Sequence, residues 1–247
     1  MTDDKIAGKA VLVTGSSSGI GEAIARRFAG LGAKVVVNSA QSVSAGEQLA
    51  QSLPDAIYLQ ADISDAVDCQ GLIDATIEKY GRLDLLVNNA GTTEVIPHED
   101  FDAATDEIWE RILGVNVIGT WRLSKLAVPF LREGGGGSII NISSIAGVRP
   151  IGSSIPYSVS KAAINHMTEL MAKVVGPEVR INAVAPGLID TPWTAGWEEM
   201  HTSVEKVAPL QRSGLPDDIA EACIGLARAE YVTGQVLVVD GGLTSVM

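Results

Sequence analysis

Seven short apolar runs recur from one end of the chain to the other, at positions 10–13, 35–37, 57–59, 83–87, 138–142, 180–184 and 236–239. Each is too short for an ordinary helix, and their Val and Ile content favours buried strands. Between them lie amphipathic stretches with helix-like spacing, at 20–31, 43–53, 66–80, 105–131, 157–174 and 216–228. Strand–helix alternation of this kind demands crossover connections, which make a parallel sheet with helices on both faces. The sequence therefore predicts an α/β fold built on a doubly wound, seven-stranded parallel sheet. No linker divides the chain, so 1–247 is read as a single domain. Aromatics are only 4% of residues while 46% are hydrophobic, so the core must come from Val, Ile, Leu and Ala. The longest interruption, 188–214, exceeds an ordinary connection and is expected to form a substrate lid.

The formal net charge of -12 offers no basic footprint, so no nucleic-acid partner is expected. No apolar run approaches the ~20 residues of a membrane span. Met1 to Lys5 show no signal-peptide pattern, and a cytoplasmic setting is expected. Cys69 and Cys223 suggest neither a disulfide framework nor a metal motif, and His98, His166 and His201 show no metal-ligand spacing. No metal is expected.

Thr14-Gly15-Ser16-Ser17-Ser18-Gly19-Ile20-Gly21 joins the first run to the first helix. A dinucleotide diphosphate must approach bare backbone N–H groups at a helix N-terminus, where the dipole favours negative charge. Gly15 allows the tight turn, Gly19 the close approach and Gly21 the packing of helix on strand. Ser17, Ser18 and Ile20 belong to the same cradle. A glycine-rich turn alone is a weak signal, and an ordinary βα turn is the plain alternative. Its place between a first strand and a first helix points to a Rossmann-type cofactor site.

Tyr157 and Lys161 stand at i, i+4, on one face of a helix. A nearby ammonium stabilises a phenolate and lowers the phenol pKa, so the pair can donate a proton to a carbonyl oxygen or take one from an alcohol. Alone, such a pair is more often a surface-helix feature. Here Ser143-Ser144 and Asn88-Asn89-Ala90-Gly91 end the fifth and fourth strands, at the sheet edge where ligands bind in open α/β folds. Asn116 lies in the helical stretch between them.

These motifs, in this order, resemble the short-chain dehydrogenase/reductase family over roughly 6–243, including its 3-oxoacyl-[acyl-carrier-protein] reductase-like members. The resemblance is carried by Thr14 to Gly21, Asp62, Asn88 to Gly91, Asn116, Ser144, Tyr157, Lys161, Pro186-Gly187 and Asp240-Gly241-Gly242. It implies a catalytic tetrad of Asn116, Ser144, Tyr157 and Lys161, with Ser144 chosen over Ser143 because it stands 13 residues before Tyr157. In that scheme Tyr157 is the general acid/base and Ser144 polarises the substrate carbonyl. Lys161 lowers the Tyr157 pKa and bonds the nicotinamide ribose, and Asn116 holds a relay water. The resemblance also places Asp62 and Ile63 at the adenine. Asn89, Ala90, Gly91, Pro186, Gly187, Ile189 and Thr191 join Tyr157 and Lys161 along the rest of the cofactor.

Cofactor choice should rest on the residues after the second strand, where an acid would bind a ribose 2′-OH and repel a 2′-phosphate. Asn38, Ser39 and Ala40 supply no acid there, so NADP(H) is favoured over NAD(H), with Asn38, Ser39 and Ser18 as neutral donors. Trp193 and Trp197 are expected to wall an apolar substrate pocket beside Ser144. A carrier-protein partner would want a basic patch, to which Arg149 and Arg212 could contribute, but the net charge argues against one. The small Ala162 and Ala163 on the Tyr157 helix, together with the resemblance, imply a homotetramer. The function so read is NAD(P)(H)-dependent oxidoreduction of a carbonyl or secondary alcohol. The alternative is a non-catalytic dinucleotide-binding regulator, which would be expected to carry a broken tetrad.

Overall fold

A computed structural model describes residues 5–247; the signal-peptide reading of Met1 to Lys5 falls almost wholly outside them. The seven strands are β1 Ala10–Val13, β2 Lys34–Ser39, β3 Ala56–Gln60, β4 Leu85–Asn88, β5 Gly137–Ile142, β6 Val179–Pro186 and β7 Val236–Val239. They form one sheet in the order β3-β2-β1-β4-β5-β6-β7, and every neighbouring pair is parallel. Central β1 and β4 are buried at every residue, which explains their unbroken apolar sequence: both faces are covered by helices.

The helices are α1 Gly19–Gly30, α2 Val43–Ser52, α3 Ala66–Tyr80, α4 Asp106–Leu113, α5 Thr120–Glu133, α6 Ile155–Val175, α7 Glu198–Val207 and α8 Pro216–Arg228. One core layer joins the sheet to α1, α2 and α8 through Ile24, Phe28, Leu49 and Ile224. The other joins it to α3, α5 and α6 through Ile73, Leu123, Leu131 and Met171. Phe28 is fully buried, and burial of such a side chain contributes ~1.5–3 kcal/mol.

Strand order reverses between β1 and β4. Their outward connections therefore diverge and leave a crevice at the carboxyl ends, the usual ligand position in such sheets. The glycine turn leaves β1 there, and Asn88 to Gly91 leave β4 beside it.

Two elements differ from the sequence expectation. The stretch read as one helix over 105–131 is broken by a π-helical segment, Gly114–Gly119, between α4 and α5. The wider turn shifts the side-chain register and buries Asn116 completely. Hydrophobic periodicity does not reveal such an insertion, because the helix axis continues on both sides. The second difference lies at α6, which begins two residues before Tyr157. Ser154 accepts a hydrogen bond from the Tyr157 N–H, and Pro156 sits in the first turn, a favourable start for a helix.

Candidate active site

The turn after β1 is held from behind by the turn after β4. Thr14 Oγ1 accepts hydrogen bonds from the backbone N–H groups of Asn89 and Ala90, both at 3.0 Å. Asn89 Nδ2 donates to the carbonyls of Thr14 and Gly15, both at 2.9 Å. Gly15 has φ +59, and a Cβ there would stand 2.8 Å from Ala90 Cα. A Cβ on Gly21 would stand 2.4 Å from the Gly15 carbonyl oxygen and 2.5 Å from Asn89 Nδ2. Neither position admits a side chain. Ser18 precedes α1 in extended conformation without a side-chain cap, so the first N–H groups of the helix remain open to an anion. The cradle fits a dinucleotide diphosphate.

At the far end of β2 the side chains turn inward. Asn38 Oδ1 accepts from the Gly15 N–H at 3.3 Å, and Asn38 Nδ2 donates to the carbonyls of Leu59 and Ala61 at 3.1 and 3.2 Å. Its amide buttresses the glycine turn and has no donor left for a 2′-phosphate, which corrects the sequence reading. Ser39 Oγ meets the Tyr58 hydroxyl at 2.9 Å. Ser18, Gln41 and Ser42 are exposed polar side chains on this part of the wall. Asp62 Oδ1 accepts from the Ser64 N–H and Oγ, at 2.9 and 2.8 Å, and so shapes the turn that carries Ile63.

At the other end, α6 presents Tyr157 in its first turn and Lys161 one turn later. Lys161 is 4% exposed; its Nζ donates to the Ile142 carbonyl at 2.9 Å and lies 5.6 Å from the centroid of the Tyr157 ring. Ser144 leads into the 3-10 turn Ile145–Gly147, its Oγ accepting from the Ala146 N–H at 3.1 Å, and its side chain stands near enough to Tyr157 to act on the phenol. Ser143 Oγ donates to the Lys161 carbonyl at 3.1 Å, a tie between β5 and α6.

Asn116 takes no place on the cleft wall. Its Oδ1 accepts from the Thr92 N–H at 2.8 Å, and its Nδ2 donates to the Thr92 carbonyl at 3.0 Å and to Ser160 Oγ at 2.9 Å. Ser160 Oγ donates in turn to the Tyr157 carbonyl at 2.6 Å. Asn116 therefore clamps the loop after β4 to α6.

Burial pushes the Tyr157 phenol above its ordinary pKa, and Ser144 pulls the other way. Burial also pushes the Lys161 ammonium down, to about 8. The sequence reading had the cation lowering the phenol. In the structure, desolvation of the phenolate is the larger effect, and the cation that should oppose it is itself weakened.

A single cleft of about 1530 Å³ connects the two ends. Of the catalytic, cofactor and tryptophan candidates named from the sequence, all line it except Asn116. The sequence also let Thr93, Glu94 and Ile96, after the fourth strand, reach this cleft; of the three, Ile96 lines it. Thr93 Oγ1 and Ser153 Oγ bond at 2.6 Å, and the Ile96 N–H donates to the Ser153 carbonyl at 2.8 Å. Arg111 donates to Thr92 Oγ1 at 3.0 Å and to Glu94 Oε2 at 2.7 Å. Leu243 and Met247, at the end of the chain, also line the cleft. No spacing signal marks these pairs, which only the fold brings together. Among the described residues no group of three or more His, Cys, Asp or Glu could hold a metal ion, and no helix is long and apolar enough to cross a membrane.

A family model described as enoyl-(acyl carrier protein) reductase matches residues 15–244. A protein of Streptomyces violaceoruber, provisionally named ketoacyl reductase 2 of the granaticin polyketide synthase, is 55% identical over 98% of both chains. The 3-oxoacyl-[acyl-carrier-protein] reductase of Thermotoga maritima is 36% identical, over 97% of this chain and 99% of its own. A 3beta-hydroxysteroid dehydrogenase of Eggerthella lenta is 35% identical, over 98% and 95%. A crystal structure from Burkholderia xenovorans, titled provisionally as a short-chain dehydrogenase/reductase, superposes with a TM-score of 0.90 at 36% identity, over 96% of this chain and 98% of that one.

Proposed function

The chain belongs to the short-chain dehydrogenase/reductase family and is a nicotinamide-dependent oxidoreductase, and from that premise we propose that Tyr157 exchanges the proton with the oxygen of a carbonyl or secondary alcohol. The observation that carries this reading is that Ser144, Tyr157 and Lys161 line one cleft together, with Lys161 Nζ held on the Ile142 carbonyl 5.6 Å from the Tyr157 ring. Two hydroxyl donors on one cleft suit a single substrate oxygen. Ser144 orients that oxygen, and Tyr157 delivers the proton in reduction or takes it in oxidation. Lys161, held by the Ile142 carbonyl, places a positive charge behind the phenol. Asn116, whose side chain ties the loop after β4 to α6, would hold the relay water that the resemblance implies.

The cofactor would be held by Gly15, Ser17, Ser18, Gly19, Ile20 and Gly21 at the diphosphate. Ser39, Ala40, Asp62 and Ile63 would hold the adenosine end; Asn89, Ala90, Gly91, Pro186, Gly187, Ile189 and Thr191 would hold the rest. When bound, the nicotinamide supplies or accepts the hydride. NADP(H) is favoured over NAD(H): no acid stands at 38–42 to repel a 2′-phosphate, and Ser18 and Gln41 face the cleft there.

The stretch 188–214 acts as the substrate lid of the single domain, and its Trp193 and Trp197 line the cleft. A homotetramer is supported by exposed apolar side chains on one helical face and on the edge strand. Ile118, Trp121, Val159, Leu170 and Val174 are exposed on the π segment, α5 and α6, and Leu237 is exposed on edge strand β7. Two self-complementary faces are what a closed tetramer of two-fold symmetry needs. We place the enzyme in the cytoplasm. The test of the central reading is NADPH and NADH oxidation with a carbonyl panel by the intact protein; binding of cofactor without turnover of any carbonyl would refute it.

A further inference from the structure

Beside Tyr157 part of the cleft wall is apolar, and among the described residues the Lys and Arg side chains on its lining, Arg111 and Lys161, are both engaged. Trp193, Trp197, Met200, Val204, Ile151 and Met247 form the apolar part. Trp193 and Met200 are each 46% exposed, so indole and thioether surface faces the opening. Flat rings stack on such surfaces. The Ser153 hydroxyl on the cleft wall is bonded to Thr93 Oγ1 at 2.6 Å, and Thr93 Oγ1 donates in turn to the Glu94 carbonyl at 3.2 Å, so this pair demands no further polar partner.

Cations that could receive a carboxylate, phosphate or acidic protein are held elsewhere. Arg111 lines the cleft but is bound to Glu94 and Thr92. Lys161 is buried on the Ile142 carbonyl. Arg212 is held by both oxygens of Asp218, at 2.7 and 2.9 Å. Arg149 lies outside the lining, and its Nη1 donates to the neighbouring Val148 carbonyl. Acids meanwhile stand on the wall and around it. Glu99 and Glu110 line the cleft, and Glu198 and Glu199 line a side notch with Val95, Trp197 and Met200. An anion entering here would meet like charge and be desolvated unpaired, at a cost of several kcal/mol. The cleft also exceeds the ~300–1,000 Å³ of a typical small-molecule site, which leaves room for a bulky substrate beside a dinucleotide.

We infer that the substrate is an uncharged, ring-containing ketone or its alcohol, taken free from solution rather than as a carboxylate or an acyl group tethered to an acidic carrier protein. The inference rests on the oxidoreductase reading and narrows it.

The test compares kcat/KM of the intact enzyme for three probes: 2-tetralone, a tetralone bearing a carboxylate, and an acetoacetyl thioester on acyl carrier protein. The uncharged ketone should be preferred over each of the others by at least about tenfold, the discrimination an unpaired charge or a missing apolar contact gives. Equal or better use of the carboxylate or the carrier thioester overturns the inference and leaves the oxidoreductase reading standing. Silence toward every carbonyl overturns both. A second measurement uses Trp193→Ala. The ratio of kcat/KM for 2-tetralone to that for 2-butanone should fall by at least about fivefold. Because the comparison is internal to one preparation, partial loss of folded enzyme does not affect it; an unchanged ratio overturns the ring-stacking wall.

Discussion

Lys161 Nζ stands 5.6 Å from the centroid of the Tyr157 ring while its proton is donated to the Ile142 carbonyl at 2.9 Å. The ammonium is thus fixed behind the phenol by the end of β5, and the hydroxyl is left to Ser144 and the substrate. Replacing Tyr157 with Phe keeps the ring and its packing and removes only the transferable proton. Turnover should fall by ~10²–10⁴, the usual worth of a positioned acid/base, while the dissociation constant for the cofactor changes by less than about threefold. Steady-state kinetics and a cofactor titration check this; unchanged turnover would remove Tyr157 from its role.

Lys161 makes an opposite pair of predictions for activity and stability. Its folded-state pKa lies near 8, below the ordinary lysine value of 10.5. Between these values the unfolded chain binds more protons than the folded one, so this group's contribution to stability rises with pH across about pH 8 to 10.5 and is unfavourable below it. Lys161→Met removes a buried charge of similar length. The variant should be more stable than the parent at pH 7, by about 1–2 kcal/mol after loss of the Ile142 hydrogen bond, yet almost inactive. Chemical denaturation at pH 7 and pH 10 checks the sign: the variant's advantage should shrink at the higher pH.

Ser39 ends β2 on the cleft wall, where its hydroxyl meets Tyr58 at 2.9 Å. An aspartate at this position extends a carboxylate toward the expected adenosine ribose, where it can bond a 2′-OH and repel a 2′-phosphate. Ser39→Asp should shift the NADPH to NADH ratio of kcat/KM toward NADH by at least tenfold, about 1.4 kcal/mol. Equal ratios in parent and variant would mean that the ribose lies elsewhere.

Much of this site was legible in the chain because its parts are local. The turn from Thr14 to Gly21 is contiguous, and Tyr157 and Lys161 are one helical turn apart. The strands were legible because a doubly covered parallel sheet leaves unbroken apolar runs. Residues whose roles depend on distant partners were not legible. Asn38 reads as an exposed donor after a strand, yet three backbone groups on two other segments claim its amide. Asn116 reads as a polar residue in a long helix, but the π turn swings it onto Thr92 and Ser160. No spacing signal marks Arg111, which only the fold places on Glu94 beside the cleft.

Asp84 ties the middle of the sheet together and sets its response to acid. It is buried immediately before β4, where it accepts from the Ala10 N–H at 2.9 Å, from Lys9 at 3.1 Å and from Arg82 at 2.7 and 2.5 Å. Burial alone would push its carboxyl up, but the bonds from Arg82, Ala10 and Lys9 together hold it below the ordinary value. A carboxyl with a depressed folded pKa contributes stability that is present above its unfolded value, near 3.9, and is lost as pH falls through the folded one. Asp84→Asn keeps the shape, loses the charge and weakens all three partners, so it should cost about 1–3 kcal/mol at pH 7. Between pH 4 and pH 2 the parent should lose stability faster than the variant, and the gap between their denaturation midpoints should narrow. A gap that stays constant over that range would show that the ionised carboxylate is not what joins β1 to β4.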